Sequence, residues 1–81
     1  MKNILAQKVA RAAEKYMQSL LDGDFGVDNA ACIKQDYEDL MSIANLIEDG
    51  ASEKVIANAM WRLDTAVRDV IPDAVYYIYN K

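Results

Sequence analysis

The chain has 81 residues, no histidine, one cysteine and a formal net charge of −4. No intramolecular disulfide is available to it, and it lacks the commonest general base and the commonest metal ligand. Its composition of 53% apolar and 27% charged residues excludes disorder on compositional grounds, and three Gly and one Pro favour long helices over a turn-rich β fold.

Charge is unevenly spread. Residues 1–21 carry a net +3, residues 22–53 a net −8 and residues 54–81 a net +1. An acidic block of this size argues against direct nucleic-acid binding, because phosphate contacts require Lys and Arg, and it favours a basic partner surface. No run of 18 apolar residues is present, so no membrane span is expected. Gln7, Lys8 and Arg11 interrupt any secretory leader, and a cytoplasmic setting fits the single thiol.

The spacing predicts a first helix over about 3–21. Leu5, Val9, Ala12, Tyr16 and Leu20 form one apolar stripe, and Ala6, Ala10, Ala13 and Met17 form a second beside it. Such an arc suits a helix touching two neighbours in a bundle, or one that lends its alanines to a homodimer seam. Lys8, Arg11 and Lys15 fall on the opposite, solvated side.

The stretch 22–28 reads as a turn, with Gly23 ending the first helix, Asp28 capping the next and Phe25 folding back onto the core. Its aspartates do not make a calcium loop. An EF-hand starting at Asp22 needs Gly at its sixth position and Glu at its twelfth, where this chain has Val27 and Ile33. No metal and no cofactor are expected.

A second helix is predicted over about 29–49, closed by Gly50. Ile33, Tyr37, Leu40, Met41, Ala44 and Ile47 form its main face, and Cys32, Ile43 and Leu46 widen it, which reads Cys32 as a half-buried thiol. Asp36, Glu38 and Asp39 cluster in its first half. Glu48 and Asp49 sit at its end, where they oppose the helix dipole and so suggest a use other than stabilising their own helix.

The third helix is predicted to be continuous from an N-cap at Ser52 to residue 70 or 71, stopped by Pro72. Val55, Ile56, Ala59, Met60, Leu63, Ala66, Val67, Val70 and Ile71 share one face. The single tryptophan, Trp61, lies roughly 140° from its centre, beside Thr65 and Arg68. Pro72 then suits N1 of a short fourth helix or a kink in a continuing one, and the aromatic and β-branched content of the tail also allows a strand. The expected core is Leu5, Val9, Ala12, Tyr16, Ile33, Tyr37, Leu40, Ala44, Ile56, Met60, Leu63, Val67 and Val70.

The fold class expected is all-α, a small antiparallel bundle of three main helices with a short C-terminal aromatic helix, forming one domain over 1–81. No catalytic constellation or phosphate-binding glycine loop accompanies it, so an enzyme is not expected. The candidate protein-binding residues are Trp61, Arg68 and Thr65, with Asp36, Glu38 and Asp39 as a charged surface that could mimic nucleic-acid phosphates. Within the chain, packing under Phe25 or against the tail tyrosines is the alternative setting for Trp61, and a homodimer is the alternative user of Trp61 and the tyrosine tail. In size, charge and helical content the chain resembles the compact inhibitors of phages and mobile elements, anti-CRISPR and bacteriocin-immunity proteins among them. That resemblance is one of type only; the acidic face and Trp61 carry the expectation of an antagonist of a basic, nucleic-acid-handling protein.

Overall fold

The computed structural model describes residues 1–22 and 30–79, which form five helices: α1 (Ile4–Asp22), α2 (Ala30–Glu48), α3 (Glu53–Trp61), α4 (Thr65–Arg68) and α5 (Asp73–Tyr79). Among the described residues there is no strand, and the aromatic tail is helical. The expected roles of Gly23, Phe25 and Asp28 lie outside the described residues.

Four of the helix ends have a local chemical cause. The Asn3 side chain accepts from the backbone N–H of Leu5 (2.9 Å) and Ala6 (3.2 Å), which caps α1. Gly50 adopts φ +76°, its N–H donates to the Ile47 carbonyl (3.2 Å), and that of Ala51 donates to Leu46 (3.0 Å). This paired pattern closes α2 as a Schellman motif. Ser52 caps α3, its hydroxyl accepting from Val55 N–H at 3.3 Å. Pro72 stands at the N-cap of α5 rather than at N1: its carbonyl accepts from Val75 (2.9 Å) and Tyr76 (3.0 Å).

The main packing is α1 on α2. Two side chains that bond across the pair, at opposite ends, fix their antiparallel sense. Tyr16, late in α1, donates to the Asp36 carboxylate early in α2 at 3.0 Å. Glu48, at the end of α2, accepts from the backbone N–H groups of Lys2 (2.7 Å) and Asn3 (2.8 Å) just before α1. Packing continues from α2 to α3, from α3 to α5, and from α5 back to α1.

The core departs from expectation in three places. On α1 the alanine stripe supplies the centre: Ala6, Val9 and Ala13 are fully buried, whereas Leu5, Ala12 and Tyr16 are only partly so. Small side chains let the α1 and α2 backbones approach closely, so the larger residues are left at the flanks. On α2 the face is rotated toward Ile43, which is buried with Leu40, Ala44 and Ile47, while Cys32 is exposed and Tyr37 only partly covered.

The third correction is the largest. The predicted single helix over 52–71 breaks after Trp61, and Asp64 takes an extended conformation (φ −59°, ψ 150°) before α4 begins. The bend turns Ala66 out to solvent and brings Val67, Ile71 and Val75 inward, with Val70 half-buried. A straight helix of 20 residues would run about 30 Å. Bending it returns the tail to the core, where Val75 is fully buried and Tyr76 and Tyr79 pack at its edge.

Candidate functional site

The turn that ends α3 gathers the most distinctive side chains of the molecule. Trp61 is 55% exposed despite being the largest apolar side chain in the chain. The Arg68 guanidinium lies 4.3 Å from the centre of its ring system, and the Tyr76 ring meets it edge-on, at 6.4 Å between centroids and 62° between planes. A cation over the indole face and an aromatic edge beside it are both favourable arrangements for the ring quadrupoles. The indole is thus held on the surface in a fixed setting.

Arg68 comes to this position because the chain bends between α3 and α4 at the extended Asp64. Its Nε donates to the Met60 carbonyl (3.3 Å), and one terminal nitrogen donates to the carbonyls of Trp61 (3.3 Å) and Leu63 (2.9 Å). These are carbonyls at and just beyond the C-terminal end of α3, the end at which a positive charge is favoured. Thr65, the first residue of α4, is exposed, and its backbone carbonyl accepts from Asp69 N–H at 3.0 Å. Trp61, Thr65 and Arg68 therefore occupy one turn of the chain, but on either side of a break.

The acidic candidates lie on α2 in three different settings. Asp36 accepts from Tyr16, and burial, reinforced by this carboxylate, raises the Tyr16 hydroxyl above its ordinary value of 10.0. Asp39 accepts from the Gln35 amide at 2.9 Å. Glu38 is exposed, and its backbone carbonyl accepts from the Ser42 hydroxyl at 3.0 Å. Of the three, Glu38 is exposed, and Asp36 and Asp39 are half-buried.

A groove of about 300 Å³ links the two regions. Asp39, Ser42 and Ile43 of α2 line one wall, and Ala59, Arg62 and Leu63 line the other. Arg62 follows Trp61 in the chain, so the acidic helix and the tryptophan turn adjoin. Arg62 was absent from the sequence-based candidates, whereas Tyr76 is one of the tail tyrosines against which Trp61 was expected to be able to pack. Nothing in the apolar period marks Arg62, and Tyr76 reaches Trp61 only through the bend.

Among the described residues no group of three or more His, Cys, Asp or Glu side chains is placed to hold a metal ion. None of the described helices is long and apolar enough to cross a membrane. Comparison with protein-family models, with curated proteins and with solved structures found no match.

Proposed function

We propose that this chain is a non-catalytic protein-binding domain that antagonises a basic, nucleic-acid-handling protein in the cytoplasm. The observation that carries the reading is Trp61, half-exposed yet held from two sides by Arg68 and Tyr76. A rigid surface tryptophan gives up little conformational entropy on binding, and Trp, Tyr and Arg are the residues enriched at interface hot spots. Trp61 is the apolar anchor, with Arg68 and Thr65 around it. Asp36, Glu38 and Asp39 supply the negative field that draws a basic surface toward the adjoining groove.

Two measurements test this. Trp61→Ala should weaken capture of the partner by about 30-fold or more, the scale of a hot-spot truncation. Duplex DNA should displace the captured protein from the wild-type chain, since carboxylates and phosphates would compete for one basic surface. A partner retained by the Trp61→Ala chain, or indifferent to DNA, would refute the respective half of the proposal.

A homodimer is the second reading, favoured by the exposure of Trp61 (55%) and Tyr77 (72%). Its alanine seam is reduced, because Ala6 and Ala13 are fully buried within the chain. A melting temperature that rises with protein concentration would support it, and one that does not would exclude it.

A further inference from the structure

The apolar period of 52–71 runs unbroken across the bend. Met60, Leu63 and Val67 keep helical spacing and are all buried, on both sides of an extended Asp64. The sequence therefore encodes a helix that the structure interrupts. Neither glycine nor proline stands at the interruption, and the Asp64 side chain makes no capping hydrogen bond to α4. The usual local causes of a helix stop are missing.

What is present is Arg68. In a straight helix the carbonyl of Met60 would accept from the N–H of Asp64, that of Trp61 from Thr65 and that of Leu63 from Val67. The Arg68 guanidinium donates to these three carbonyls, at 3.3, 3.3 and 2.9 Å, and that of Met60 also accepts from the Leu63 N–H at 3.1 Å. One side chain thus supplies donors to three of the carbonyls whose helical N–H donors the break removes. The planar fork of donors suits this task, and its flat face lies over Trp61 at the same time.

We infer that Arg68 is a positioning residue, a latch that holds the α3–α4 segment bent and so fixes Trp61 against Tyr76. With the latch closed, α5 folds back over α3 and the indole has its present setting. With the latch removed, the carbonyls of Met60, Trp61 and Leu63 recover the N–H donors four residues on only if residues 62–64 become helical. The segment then straightens and Trp61 parts from Tyr76. The inference concerns the free chain and does not depend on any partner of Trp61.

The test reads backbone conformation directly, from the ¹³Cα chemical shifts of residues 62–64 in the full chain. In Arg68→Ala the shift of Asp64 should move from the extended to the helical side. The near-ultraviolet circular dichroism of the single tryptophan should weaken, and its emission should shift to the red. Asp64→Ala, which leaves the latch in place, should keep residue 64 extended even though alanine favours helix. Arg68→Lys guards against a variant that does not fold. A single ammonium cannot serve three carbonyls and stack on the indole together, so both signals should move part of the way toward the straightened state. An extended Asp64 in folded Arg68→Ala would show that the buried tail holds the bend, and would overturn the inference. So would a helical residue 64 in Asp64→Ala, or an Arg68→Lys chain identical to wild type in both signals.

Discussion

Glu48 stands at the C-terminal end of α2, where a negative charge opposes its own helix dipole. Its carboxylate instead accepts from the Lys2 and Asn3 N–H groups ahead of α1, the end at which an anion is favoured. A residue that looks misplaced on one helix is well placed for its neighbour. These backbone hydrogen bonds lower the Glu48 pKa below the ordinary 4.5. A folded-state value below the unfolded one adds stability that is present above about pH 4.5, and that is lost as the pH falls through the lowered folded value. Glu48→Gln should flatten the acid limb of a stability–pH curve, with little change in its shape near pH 8. The sequence pointed to Glu48 as an acid with some other use. The acceptor role itself needed the antiparallel neighbour, which no residue near Glu48 in the chain can supply.

At the scale of the element, helix ends were readable and helix continuity was not. Gly50 and Ser52 do what their residue types imply, because capping depends on a few adjacent backbone groups. A Cβ at Gly50 would meet no atom within 4 Å, so Gly50→Ala isolates the left-handed backbone conformation. The expected loss is about 1 kcal/mol in urea unfolding, with an unchanged slope. The α1–α2 contact gives a second check. Ala6→Leu places a larger side chain where Ala6, Val9 and Ala13 are fully buried, and should destabilise by about 1–3 kcal/mol through overpacking. Had the Leu5 stripe faced α2, the same change would be close to neutral. The break after Trp61 escaped the periodic reading because the residues on either side keep the same helical spacing. The deciding bonds run from Arg68 back to carbonyls five to eight residues earlier.

For the whole molecule, one core joins all five helices, drawing Ala6, Val9 and Ala13 from α1, Leu40 and Ile43 from α2, Met60 from α3, Val67 from α4 and Val75 from α5. Met60 is fully buried and lies where α3 meets the rest of this core. Met60→Ala should cost about 2–5 kcal/mol. A chain of this length has only about 4–12 kcal/mol of stability in total. The variant should therefore show a clearly lowered urea midpoint, and loss of the Trp61 near-ultraviolet signal at lower denaturant than wild type. A small core leaves large side chains on the surface, and that is why exposure alone does not single out Trp61. Its fixed setting between Arg68 and Tyr76 does.

By itself the sequence determined that the chain is helical, where its helices start and stop at Ser52 and Gly50, and that Trp61 stands off the main apolar face. These follow from short-range propensity, capping and periodicity, which act within a few residues. Tertiary structure alone decided which stripe of α1 is buried, which partner Glu48 serves, and that the third helix bends. Each of these is a choice between locally equivalent arrangements. Only contacts between residues distant in the chain, such as Glu48 with Lys2 and Asn3 or Trp61 with Tyr76, separate them in free energy.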